Sequence, residues 1–123
     1  MTRRSLLGSA FGGAILSRAQ AALKKMRITR VRYYESPASR PIFNQSAHVV
    51  TVETDAGITG IGEGGSRDTV TQCAALLIGQ DPTRIEHLWQ YMYRAYFYPP
   101  GREKVHALGA LDMALWDIKA KAL

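Results

Sequence analysis

Cysteine is almost missing from this chain. Cys73 stands alone, so no internal disulfide can form in any redox compartment. Metal-site spacing is missing too. His48, His87 and His106 are scattered, with no H-x-x-x-H pair and no paired cysteines, which excludes the familiar zinc patterns. The apolar run Leu6 to Leu16 is too short to span a bilayer as a helix, and Gly8, Gly12 and Gly13 weaken it further. No internal repeat, low-complexity tract or flexible linker divides the chain, so its 123 residues allow one domain and not comfortably two. Acidic residues are absent from the first twenty positions, where Arg3, Arg4 and Arg18 lie.

That local imbalance accounts for half of the net charge of +6; without those three arginines the excess falls to +3. A basic cluster at Lys24, Lys25, Arg27, Arg30 and Arg32 remains, and it reads as the solvated face of a first strand rather than a nucleic-acid footprint. The opening residues have the parts of an export signal. Arg3 and Arg4 form a twin-arginine head, the short apolar run follows, and Ala19-Gln20-Ala21 is a small-x-small cleavage site. Arg18, just before that site, suits the route that carries folded proteins. The expected layout is a twin-arginine signal at residues 1–21, a mature domain at 22–123, a periplasmic destination, no nucleic-acid partner and no stable membrane anchor.

In the mature part, 46% apolar against 21% charged residues is enough for a modest core. "MRITRVRYYE", Met26 to Glu35, predicts a strand with a bulge, because Ile28 and Val31 fall on opposite faces of a strictly alternating chain. Ala47 to Thr54 predicts a second strand. "DAG" at Asp55 to Gly57 predicts a hairpin turn, and Ile58 to Glu63 a third strand. Three helices follow. The first runs from Arg67 to Ile78, capped by Ser66 and ended by Gly79. The second starts with Asp81 as N-cap and Pro82 at the first helical position, and buries Ile85, Leu88, Trp89, Met92 and Tyr96. The third spans Glu103 to Ala122 and buries Leu108, Leu111, Leu115 and Ile118, with Asp117 and Lys121 paired on its wet side. A block of strands and then a block of helices predicts an α+β domain: a three-stranded antiparallel meander followed by a three-helix bundle.

No self-contained active site emerges. "GIGEGG", Gly60 to Gly65, has the G-x-G-x-x-G spacing, but the strand–helix–strand unit a dinucleotide needs is missing. Those glycines are expected to permit close backbone packing and a mobile loop after the third strand. Cys73 on an apolar helix face reads as an inert buried thiol. Asp112, beside Leu111 in the buried stripe, reads as a capping or pairing group. "YMYRAYFYPP", Tyr91 to Pro100, reads as core packing rather than a base-stacking platform.

Three stretches in order carry a resemblance: "VTVETDAGITGIGEGG" (Val50 to Gly65), "IGQDPTRIEHLWQYMYRAYFY" (Ile78 to Tyr98) and "ALGALDMALWDIKAKAL" (Ala107 to Leu123). Together they resemble the N-terminal capping domain of the enolase superfamily, in the mandelate racemase and muconate lactonizing enzyme branch, on the side of the galactonate- and mannonate-type acid-sugar dehydratases. The resemblance implies a partner, a (β/α)₈ barrel in cis or in trans. In the complete enzyme that barrel carries Mg²⁺ and the acid/base residues, removes a proton α to a carboxylate and expels a β-hydroxyl from a sugar acid. It also implies that two cap loops close the barrel mouth and read the far end of the substrate. By position these are Ser36 to Gln45 and Glu63 to Arg67. Arg40, Asn44 and Gln45 are the first candidates for substrate contacts, with Glu63 and Arg67 second. No catalytic residue and no metal ligand is expected in this chain. "ALWDIKAKAL" reads as the helix that joins cap to barrel, so the chain is expected to be a fragment, inactive alone. The alternative is a stand-alone interaction module that pairs with a barrel in trans.

Overall fold

A computed structural model describes residues 23–37 and 47–123. The export-signal expectation, at 1–21, therefore falls outside the described residues, as do Arg40, Asn44 and Gln45.

Strands β1 (Ile28–Tyr34), β2 (Val49–Thr54) and β3 (Thr59–Glu63) form an antiparallel sheet in the order β1-β2-β3. Helices α1 (Arg67–Leu77), α2 (Ile85–Arg94) and α3 (Arg102–Ala122) follow. The α+β architecture is the expected one: meander first, then helices packed on one face of the sheet. The bulge in β1 is present. The register slips between Ile28, opposite Thr54, and Arg30, opposite Glu53. The slip lets Ile28, which is fully buried, and Val31 face the same core. Val31 pairs with Val52 and Tyr33 with Val50, so the inner face of the sheet is apolar. The hairpin turn also forms as expected, with Gly57 at φ 77° and the Gly57 amide bonded to the Thr54 carbonyl.

Helix α3 is the axis of the domain. Leu108, Leu111, Leu115 and Ile118 are fully buried at steps of three, four and three. Burial of each contributes about 1.5–3 kcal/mol relative to exposure. Where α3 crosses β3 the two backbones touch. A Cβ on Gly60 would strike the Ala114 carbonyl oxygen, and one on Gly62 the Ala110 carbonyl oxygen. Two glycines on the strand and two alanines on the helix thus replace the usual cushion of side chains.

Three local expectations need correction and a fourth, the Asp117–Lys121 pair, is extended; the first correction is that Phe97 (93% exposed) and Tyr98 (76%) stand in water beyond the end of α2 instead of packing in the core. Helix α2 starts at Ile85, not at Pro82. The Asp81 carboxylate accepts the Thr83 amide (2.9 Å) and the Thr83 hydroxyl (2.7 Å), which closes a separate turn ahead of the helix. Ser66 stands at the N-cap of α1 in extended conformation, but its hydroxyl meets Thr69 Oγ1 at 2.8 Å instead of a backbone amide. Asp117 and Lys121 are paired at 2.8 Å, yet they are more than a surface pair. Asp117 accepts the Ile61 amide at 2.9 Å and Lys121 donates to the Thr59 carbonyl at 2.7 Å. The two side chains satisfy the free edge of β3, which would otherwise present unpaired backbone groups to water and to other chains.

Candidate functional site

One end of the sheet gathers the end of β1, the start of β2, the loop after β3 and the first turn of α1. The loop at this corner is shaped by Gly64 (φ 109°) and Gly65 (φ 78°), two successive residues in a region that side chains disfavour. A Cβ on Gly65 would also stand 2.7 Å from Val70 Cγ2 and 3.1 Å from Ala107 Cα. Two hydrogen bonds tie the loop down. The Gly64 amide donates to the His48 carbonyl at 2.9 Å, and the Tyr33 hydroxyl donates to the Gly65 carbonyl at 3.0 Å. The expected close backbone packing is thus present, with the loop anchored at both glycines.

Arg67 opens α1 directly above this loop. Its guanidinium lies 5.3 Å from the centre of the Tyr33 ring, and its Nε is 3.2 Å from Glu35 Oε1. Both members of that ion pair are more than half exposed, so the pair itself contributes at most about 1 kcal/mol. The His48 ring packs against the other side of the corner, 5.5 Å from Tyr33. Burial pushes the Tyr33 phenol above its ordinary pKa; the Glu35 carboxylate adds to that rise, and Arg67 opposes it. Tyr33 therefore stays a neutral hydrogen-bond donor. The corner presents a planar cation on an aromatic base, which suits a carboxylate or a run of hydroxyls.

Of the two candidates within the described residues, Arg67 belongs to this cluster. Glu63 ends β3 on its exposed outer side, separated from Arg67 by the glycine turn. Spacing in the sequence does not mark Tyr33, Glu35 or His48 as members of this cluster. The available signal was the inward alternation of Val31 and Tyr33, which points the phenol at the loop. Cys73 is buried, and burial raises the pKa of its thiol, in keeping with an inert role. Asp112 is half-buried; burial raises its pKa, while a hydrogen bond from Trp116 holds it partly down. Among the described residues no three His, Cys, Asp or Glu side chains come together to hold a metal, so they form no ligand set for Mg²⁺. Nor is any helix among them long and apolar enough to cross a membrane.

Residues 26–123 match the model of the mandelate racemase / muconate lactonizing enzyme N-terminal domain. The chain belongs to this family. Its relatives include the D-galactonate dehydratase of Xanthomonas campestris pv. campestris (strain B100), 46% identical over 105 residues, which are 80% of this chain and 26% of that protein. The D-galactonate dehydratase of Ralstonia pickettii (strain 12J) is likewise 46% identical, with the same coverage. Among solved structures, the cap superposes on an enolase from Agrobacterium radiobacter bound to Na and L-malate (TM-score 0.64, 32% identity, 78% of this chain and 25% of that one). It also superposes on an enolase from Pantoea ananatis with bound D-gluconate and Mg (TM-score 0.61, 30% identity, 78% and 24%). The cap thus spans about a quarter of the length of the curated relatives it matches.

Proposed function

We propose that this chain is the capping, substrate-reading domain of a Mg²⁺-dependent acid-sugar dehydratase of the D-galactonate type, inactive alone. The observation that carries this reading is the 46% identity to D-galactonate dehydratases over 105 residues, and the glycine-built loop corner lies within residues 26–123, which match the family model. The proton-transfer groups and the metal belong to a barrel domain, joined in cis or supplied in trans. When bound there, Mg²⁺ supplies Lewis-acid chemistry at the substrate carboxylate. The residues of the cap have a different task. The loop from Glu63 to Arg67 covers the barrel mouth and excludes water. Arg67, held over Tyr33 by Glu35, offers charge-assisted hydrogen bonds to the far end of the sugar acid. Arg40, Asn44 and Gln45 are proposed as further contacts from the neighbouring loop, with Glu63 a weaker one. Residues 1–21 are proposed as a twin-arginine signal that delivers the enzyme to the periplasm.

The test is reconstitution. With Mg²⁺ and D-galactonate, the purified 123-residue chain should show no turnover. A chimera in which it replaces the matching quarter of the Xanthomonas campestris enzyme should dehydrate D-galactonate. Turnover by the chain alone, or a folded chimera that accepts other sugar acids and refuses D-galactonate, would refute the proposal.

A further inference from the structure

Among the described residues, three buried side-chain polar atoms find no hydrogen-bond partner: His48 Nδ1, Thr51 Oγ1 and Lys104 Nζ. Thr51 stands on the outer face of the sheet, between the inward Val50 and Val52, and Lys104 lies over the Tyr96 ring at the start of α3. Of the three, His48 alone belongs to the loop corner. It directly precedes β2, and by alternation it shares the inner side with Val50. Its carbonyl accepts the Gly64 amide at 2.9 Å, and its ring leans on Tyr33 at 5.5 Å. Backbone and ring are both held by neighbours, so the imidazole is positioned before any ligand arrives. The Tyr33 hydroxyl is taken by the Gly65 carbonyl and Arg67 Nε by Glu35, which leaves His48 Nδ1 as the buried polar atom of this corner still to be satisfied.

Such an atom is costly, and native proteins keep one where a ligand or another group supplies the missing bond. The chemistry of the corner selects the ligand group. An imidazole nitrogen donates in one tautomer and accepts in the other, and a hydroxyl can answer either, whereas a carboxylate only accepts. Charge points the same way. Arg67 is paired with Glu35, Asp68 follows it in α1, and Glu63 opens the loop, so the described residues of the corner offer no surplus cation to a second carboxylate.

We infer that His48 is a specificity-determining residue: its Nδ1 hydrogen-bonds the terminal hydroxyl of an aldonate, at the end remote from the carboxylate, and the corner prefers a monocarboxylic sugar acid to a dicarboxylic one. The inference rests on the function proposed above and names the substrate group that the corner takes.

The chimera described above carries His48 and tests this through ratios of kcat/KM. The substrates are D-galactonate, its 6-deoxy analogue, which lacks the terminal hydroxyl, and the corresponding dicarboxylic acid. The parent chimera should favour D-galactonate over both by about tenfold or more, because a site built to bond a hydroxyl keeps an unpaired polar group when the analogue binds. His48→Leu should bring the ratio of D-galactonate to 6-deoxy analogue down to about one, through loss on D-galactonate. His48→Asn, whose amide puts a polar atom near the position of Nδ1, should keep most of the ratio. The ratio within one variant does not depend on how much of the protein folds, so a purely structural His48 would lower both substrates together. Equal loss on both, or a parent chimera that is blind to the terminal hydroxyl or favours the dicarboxylic acid, overturns the inference while the dehydratase reading stands, provided D-galactonate is dehydrated. A folded chimera that dehydrates no sugar acid overturns both.

Discussion

Gly62 lies so close to Ala110 that a single methyl group on its Cα would overlap the Ala110 carbonyl oxygen. The obstacle is backbone, not the tip of a flexible side chain, so the helix would have to move away from the strand. Gly60 stands in the same relation to Ala114, one turn further along α3. Because α3 also covers β2 and contacts both other helices, its displacement would disturb the whole core.

Gly62→Ala should therefore destabilise the cap by about 3 kcal/mol, at the upper end of overpacking costs. Gly57→Ala, at the hairpin turn, meets no neighbour and suffers only from its positive φ, so it should cost less. Urea unfolding of both variants checks the order. Equal losses would mean that the strand–helix approach is looser than described.

The free edge of β3 makes a pH-dependent prediction. The Asp117 pKa is lowered, first by its hydrogen bond with Lys121 and next by the Ile61 amide. A depressed carboxyl pKa adds stability above the unfolded-state value, about 3.9, and that stability is lost as pH falls through the lower folded value. Asp117→Asn should therefore destabilise the cap at pH 7 and make little difference in strong acid. The thermal midpoints of parent and variant, plotted from neutral pH downward, should converge. Parallel curves would remove Asp117 from the acid response.

Much of the fold was legible because it depends on neighbours in sequence. Ile28 and Val31 cannot both face inward on a regular strand, so the bulge followed from spacing alone. The glycines of "GIGEGG" announced close approach, although not its partners, because Ala110 and Ala114 lie some fifty residues away. Asp-Pro commonly opens a helix, yet α2 starts later because Thr83, and not a helical amide, takes the Asp81 carboxylate. The i,i+4 spacing pairs Asp117 with Lys121, but the hold of Asp117 on Ile61 depends on a contact across 56 residues. At the loop corner, position along the chain marks Arg67, while Tyr33, Glu35 and His48 join it only through the sheet order that brings β1 and β2 beneath the loop.

Tyr33 anchors that corner through one hydroxyl. Tyr33→Phe deletes its bond to the Gly65 carbonyl and keeps the ring beneath Arg67. The expected cost is about 0.5–1.5 kcal/mol in global stability. Amide exchange should report a larger local change: Gly65 and Ser66 should exchange faster, while amides in the centre of α3 slow or quicken only with global stability. Uniform acceleration across the chain would show that the hydroxyl braces the whole fold and not the loop.

Asp112 should behave in the opposite sense to Asp117. Its pKa is raised by burial, so the folded cap disfavours the ionised carboxylate. A raised carboxyl pKa means that stability is fully present below the unfolded value and declines as pH rises through the folded one. Asp112→Asn removes the charge, keeps an acceptor for Trp116, and should stabilise the isolated cap at pH 7, with the gain vanishing below about pH 3.9, where the unfolded-state carboxyl is protonated too. Thermal midpoints of parent and variant, measured from pH 7 downward, give the sign and should converge in acid. A variant less stable than the parent at pH 7 would show that the Trp116 hydrogen bond to the carboxylate outweighs the cost of its burial.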